Sequence, residues 1–349
     1  MQPSIFRSVI RSFLATFFGM MGIFVGIIMI VALIGALFND TTQELKAKSH
    51  FSPTIVANAE GSRKEVSAKA PVILKINISG VIGTEKLNMH TLNAQLTESR
   101  EGVLKNNRVK AVLVHINTPG GTVVDSDGIY RAVKAYKEQF KVPVYAYVDG
   151  LCASGGMYVA SACDKVFASE SSLIGSVGVL SPAFFNATGL MEKVGLEAKV
   201  LSAGKGKDNL NPFRKWEPGE ESMYKGIIDY YYNQFVDIVT SARPELKRTR
   251  LINEYGAHVF PAAKAKEFGF IDQSGVSLDE TLKLLAAQIS IEDDYYQVVK
   301  MDRKIDFSDL FTNGSMLFRG TVKHQVELYP GLDTHLMNQY LYLYQPNTQ

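Results

Sequence analysis

An α/β fold with a mostly parallel sheet, preceded by one transmembrane helix, is what this sequence predicts. Three observations carry that prediction. Short apolar runs of strand character alternate with helical patterns between residues 72 and 168, the order that builds βαβ units with helices outside a parallel sheet. Two glycine-rich turns, Gly120-Gly121 and Gly155-Gly156, follow two of those runs, and sites in such folds gather beyond the carboxyl ends of the strands. Residues 13–38 form a run of 26, almost all apolar, where about 20 suffice to cross the hydrocarbon core.

The N-terminal element is an anchor. No charge interrupts residues 12–39. A signal peptide has a shorter apolar core, about 7 to 15 residues, and then a small-residue cleavage pattern. This core is longer and runs into Leu37-Phe38-Asn39-Asp40, so residues 1–39 read as a tail and an uncleaved anchor. Arg7 and Arg11 precede it, Lys46 and Lys48 follow it, and the expected orientation is a short N-terminus inside and the body outside. Residues 40–70 are polar and poor in aromatic residues, which suits a stalk or linker.

The body spans residues 71–290. Residues 72–78 and 109–116 read as strands, with a helix over 92–106 between them. The second strand ends in Asn117-Thr118-Pro119-Gly120-Gly121, a strong turn signal. A helix follows over 125–140, then a third strand over 142–148, a helix after Ser154, and a short strand at 166–168. Gly175-Ser176-Val177-Gly178-Val179 is a further small-residue turn. Pro218 and Gly219 with Glu220 and Glu221 mark the start of a helix running to about residue 241. Shorter helices are expected over 261–268 and 278–289. Residues 291–349 are an extension of uncertain role, in which 339–344 (QYLYLY) alternates like a strand.

Composition excludes some functions. Lys plus Arg total 37 and Asp plus Glu total 35; without Arg7 and Arg11 each sign counts 35. No basic stripe suggests nucleic acid. Cys152 and Cys163 are eleven apart, about 16 Å along an unbroken helix, too far for a disulfide. Two isolated cysteines form no zinc site either, and no metal or cofactor is expected.

The junction 150–157 (GLCASGGM) concentrates the chemistry. A serine at the tip of a strand, crowded by small residues, can face a substrate while nearby amides point at the atom it attacks. Ser is also a favoured helix cap, so Ser154 has an ordinary competing role. A nucleophilic serine needs a base. Of six histidines only His115 lies near a strand end, and its apolar run favours packing. Lysine serves if neutral, which its ordinary pKa of about 10.4 permits only after burial. Lys205 and Lys207 lie in a glycine-rich segment, and in an extended chain both face the same side, so spacing does not choose between them.

Together the anchor, Asn117-Thr118-Pro119-Gly120-Gly121, Ala153-Ser154-Gly155-Gly156, Gly175-Ser176-Val177-Gly178-Val179 and Gly204 followed by Lys207-Asp208 resemble the signal peptide peptidase A family, in its short single-copy form. The resemblance covers roughly residues 70–275. It implies a Clp protease/crotonase-like ββα spiral, a serine–lysine peptidase assembled as a homo-oligomeric ring, and a bacterial cytoplasmic membrane location with the catalytic body outside. It implies cleaved signal peptides or other apolar peptides as substrates. By motif, Ser154 is the expected nucleophile, Lys207 the general base and Ser176 the residue that orients the lysine. The amides of Gly121 and Gly155 are the expected oxyanion hole. Met157 departs from a common aromatic, His115 stands near a position often basic in relatives, and residues 256–265 follow the family pattern loosely. Two rival readings of the same fold are a thioester enzyme of crotonase type and a non-catalytic membrane scaffold.

Overall fold

The computed structural model describes residues 5–37, 49–291, 295–304 and 339–344. Two compact units result, Met1–Lys48 and Ser49–Gln349. The first is helix α1 (Ile5–Leu37). Its stretch Val9–Val31 has a mean hydropathy of 2.5. Among the described residues it is the one helix long and apolar enough to cross a membrane.

The second unit runs β1 (Phe51–Val56), β2 (Val72–Ser79), α2 (Met89–Glu98), β3 (Val109–Thr118), β4 (Gly120–Thr122), α3 (Val123–Phe140), β5 (Val144–Ala153), α4 (Gly155–Ala160), β6 (Lys165–Ala168), β7 (Leu173–Gly175), α5 (Thr188–Val194), α6 (Ser222–Ala242), a short turn α7 (Arg248–Arg250), β8 (Val259–Pro261), α8 (Ala262–Glu267), β9 (Gln273–Ser274), α9 (Leu278–Gln288), β10 (Gln297–Arg303) and β11 (Leu341–Leu343). The main sheet has the order β1-β10-β2-β3-β5-β6-β9, with β7 joined to β5 and β8 to β7. Every pairing is parallel except β1 with β10 and β7 with β8. A separate pair joins β11 to β4.

Strands covered on both faces carry continuous apolar runs, and β3 shows why. Val112, Val114 and Ile116 enter the larger core with α2, α3 and α4, whereas Ala111 and Leu113 enter a second core under α9. The period of two then puts His115 on the α9 side of the sheet. Helix ends follow local chemistry: Asn88, Thr122 and Ser277 each accept a backbone N–H as N-caps, and Ser277 with Glu280 completes a capping box.

Two parts of the sequence reading change. Residues 51–56 belong to the sheet, not to a stalk. The Glu98 carboxylate accepts from Ser49 Oγ and from the His50 and Phe51 amides at 2.8–2.9 Å, and the whole of β1 pairs with β10. The region after 290 likewise supplies β10 and β11 to the body. Of the expected stalk, residues 40–48, and of the extension, residues 292–294, 305–338 and 345–349, lie outside the described residues.

Asp272 ties the far side of the sheet together. Its carboxylate accepts from Lys165 Nζ (2.9 Å), the Val166 amide (2.8 Å) and Arg243 Nη1 (2.6 Å). Burial opposes its charge, but the Lys165 ammonium and the Val166 amide outweigh that and hold it below the ordinary carboxylate value. A folded-state value below the unfolded one stabilises the protein above about pH 4 and ceases to do so as pH falls through the folded value. Arg243 is buried, so Asp272→Asn leaves a buried cation with a weaker partner. A loss of about 2 kcal/mol is expected at pH 7. Denaturant melts of the two proteins should converge as pH falls below 4.

Candidate active site

Three strand ends converge on Ser154. Thr118 of β3 lies opposite Cys152 of β5, and Ala153 lies opposite Gly175 of β7. Beyond those positions the chain turns at Pro119-Gly120, at Ser154 and at Ser176. The Ser154 amide donates to Gly175 O (2.8 Å), and the Ser176 amide donates to His258 O (2.7 Å). Both serines have positive φ, +53° and +57°, a conformation unusual for any residue but glycine.

Ser154 sits at the start of α4, yet its side chain makes no cap hydrogen bond. The ordinary role of a serine in this position is therefore absent. Its backbone is fixed by the sheet and by the wholly buried helix behind it, Met157 to Ala160 included. Its hydroxyl has no hydrogen-bond partner among the described residues, nor has that of Ser176. Both residues are buried, Ser154 to 1% exposure.

The glycines allow the turns to touch. A Cβ on Gly155 would lie 2.4 Å from Ser126 Oγ and 3.2 Å from both Gly120 Cα and Gly121 N. The Gly121 and Gly155 amides thus belong to one small region beside Ser154. Gly120, at φ +98°, brings that region together: a Cβ there would meet Gly155 N at 2.6 Å and the Tyr342 carbonyl oxygen at 1.9 Å. Sequence reasoning passed over Gly120 in favour of its neighbour, and it missed Tyr342 altogether. Gly120 was legible as part of the same turn; nothing in the local sequence links Tyr342 to it.

Lys207 lies in a separate turn. Residues 204–210 are a succession of turns rather than an extended segment, with Lys207 N donating to Gly204 O (3.2 Å). The lysine is exposed, and no hydrogen bond joins it to Ser154 or Ser176 among the described residues. Its turn is nonetheless firmly built. Arg214 donates to the Asp208 carboxylate and, at 2.6 Å, to Glu220 Oε1. Asn211 Nδ2 donates to the other Asp208 oxygen (2.6 Å), and the Leu210 amide donates to Glu220 Oε2 (2.7 Å). Arg214 and then Asn211 hold the Asp208 carboxyl below its ordinary range.

The other nucleophile and base candidates lie elsewhere. Cys152 and Cys163 are free and buried; burial pushes the Cys152 thiol far up and the Cys163 thiol up to about 12, away from the thiolate a nucleophile requires. His115 stacks near Tyr147 and stands 3.7 Å from Asp149. That carboxylate neighbour was not evident in the sequence. Burial and then Lys75 lower the His115 pKa, and its side of the sheet is opposite that of α4.

Comparison with known proteins bears on the family and the fold. The model for peptidase family S49 matches residues 136–292, and the Clp protease model matches residues 89–174. A Synechocystis protein named as a protease is 34% identical over 209 residues, 59% of this chain and 71% of that one. An Enterococcus faecium protein named as signal peptide peptidase SppA is 30% identical over 230 residues, 62% of this chain and 63% of that one. The chloroplast serine protease SPPA of Arabidopsis thaliana is 30% identical over 182 residues, 52% of this chain and 26% of that one. Among solved structures, a ClpP1 mutant from Listeria monocytogenes aligns at TM-score 0.40 and 15% identity, covering 59% of this chain and 93% of that one. The chain belongs to peptidase family S49, and it carries the family's serine protease character on a Clp protease-like α/β fold.

Proposed function

We propose that this protein is a single-pass, membrane-anchored endopeptidase that degrades cleaved signal peptides and other apolar peptides outside the bacterial cytoplasmic membrane. The single observation that carries the reading is Ser154 itself: a strained, uncapped serine at a strand end, with two glycine amides beside it. Strain of this kind costs about 1–3 kcal/mol and persists where the surroundings over-determine it, as at working sites.

In the proposed reaction Lys207, neutral, takes the hydroxyl proton as Ser154 Oγ attacks a peptide carbonyl. The amides of Gly121 and Gly155 stabilise the oxyanion; one such donor is worth about 3 kcal/mol. The protonated lysine then gives its proton to the leaving amine. Water, deprotonated by the same lysine, hydrolyses the acyl-enzyme. Ser176 orients the lysine through a hydrogen bond to its amine. No metal or cofactor takes part.

A lysine base works only in a dry setting, and Lys207 is exposed in the single chain. A neighbouring protomer in a homo-oligomeric ring would supply that setting, with the lysine of one chain serving the serine of the next. The ring-forming character of Clp-type proteases supports this arrangement.

Three measurements test the reading. Hydrolysis of an apolar fluorogenic peptide by the full chain in detergent should fall about 10³-fold or more in Ser154→Ala; undiminished turnover refutes the mechanism. Ser154→Gly should be equally inactive yet about 1 kcal/mol more stable than Ser154→Ala, because glycine accepts φ +53° without strain. Co-assembly of Ser154→Ala with Lys207→Ala chains should restore part of the activity, whereas absence of rescue favours pairing within one chain.

A further inference from the structure

Strand β5 changes partners shortly before Ser154. Its residues 145–148 pair with β6, and its residues 151–153 pair with β7. On the other edge Ile116 of β3 lies opposite Val148, but Thr118 lies opposite Cys152. Two steps along β3 therefore match four along β5, and residues 149–151 arch out of the ladder as an enlarged β-bulge. Unbroken pairing would set Gly150 opposite Thr118 and carry Ser154 two residues, about 6.6 Å, further along the sheet. The arch takes up that length. By the observed register Ser154 falls level with Gly120, in keeping with the 2.6 Å between a Cβ on Gly120 and Gly155 N.

Each edge of the arch is clamped by one side chain. On the β3 side Asn117 Oδ1 accepts from the Leu151 amide (3.2 Å). Gly150, at φ +109°, packs on the same side chain: a Cβ there would stand 2.9 Å from Asn117 Oδ1. On the other side Ser172, wholly buried, immediately precedes β7, the strand to which β5 transfers. Its hydroxyl donates to Val148 O (3.1 Å), accepts from the Gly150 amide (3.2 Å) and meets Ser169 Oγ at 2.8 Å. Its one donor and two lone pairs are thus all in use. The Gly150 and Leu151 amides, lifted off the β3 ladder, find their acceptors in these two side chains.

We propose that Asn117 and Ser172 are positioning residues for Ser154. By pinning the arch they fix the register in which Ser154 meets the turn at 119–121, and with it the reach of the hydroxyl to the oxyanion donors. The inference rests on Ser154 being the nucleophile. An arch released on one side flattens toward regular pairing, and Ser154 then advances past the amides its attack requires. A displacement of about 1 Å suffices to cost about 10²-fold in rate. Substrate binding is affected less. Asn117 shares the α9 side of the sheet with His115 and lines a small crevice there with Asp149, and Ser172 is sealed in the core, so neither is placed to touch a peptide.

The test uses the full chain in detergent. Its readouts are labelling of Ser154 by a fluorophosphonate, kcat and KM for an apolar fluorogenic peptide, and thermal unfolding. Asn117→Ala and Ser172→Ala should each label at least 10-fold more slowly and lose kcat in proportion, with KM within about 2-fold. Asn117→Asp, which keeps an acceptor for the Leu151 amide, should recover most of the rate. Unchanged labelling in a folded Asn117→Ala protein overturns the inference. So does a loss in Asn117→Asp as large as that in Asn117→Ala, or a rise in KM with kcat unchanged. If Ser172→Ala does not fold, the two Asn117 variants decide alone, since that side chain is exposed. Absence of labelling in the unaltered chain refutes Ser154 as nucleophile instead, a separate outcome.

Discussion

Backbone packs on backbone where the turn at residues 119–122 meets the start of α4, and that contact tolerates no side chain on Gly120 or Gly155. The rest of the site follows from it. With the two turns in touch, the amides of Gly121 and Gly155 lie in one small region, and Ser154 is the residue left to bridge from the sheet to the helix. Its own amide is taken by Gly175 O, so its hydroxyl is the polar group that remains uncommitted. The strain at Ser154 is held by parallel pairing on both sides of β5 and by a helix buried on every face. Met157 is part of that buried support.

Serine and lysine are held by unlike forces. Ser154 depends on strand ladders and close packing, which are insensitive to salt. The turn carrying Lys207 depends on ion pairs around Arg214. A carboxylate next to a lysine would normally favour its charged form, and Asp208 follows Lys207 directly. Arg214 and Asn211 occupy both oxygens of that carboxylate, so Asp208 is already committed elsewhere. The arrangement shapes the turn that carries Lys207.

What could be read from the sequence was what is local. Apolar periodicity marked β2, β3 and β5 and the helices between them, and the small-residue turns marked all three strand ends at the site. The long helix α6 began close to the predicted Pro218-Gly219-Glu220-Glu221 signal. Nonlocal pairing was illegible. β1 looked like a polar tether because its partner, β10, lies some 250 residues away and has no local signature. The alternation of 339–344 suggested a strand, but nothing in it names Gly121 as partner. Lys205 and Lys207 could not be separated because the reasoning assumed an extended chain, whereas positive-φ glycines at 204 and 206 turn it.

Burial of the serine and exposure of the lysine are two sides of one condition. A serine at 1% exposure cannot meet an incoming peptide until the space before it opens. Lys207 is exposed, whereas the proposed base role requires a dry setting. The proposed chemistry therefore requires opposite changes at the two residues: access to Ser154 must open, and the space around Lys207 must fill. The turn at 204–210 is held by its own ion pairs. A second protein surface could do both, and for that reason the proposed mechanism sets Lys207 of one chain beside Ser154 of the next.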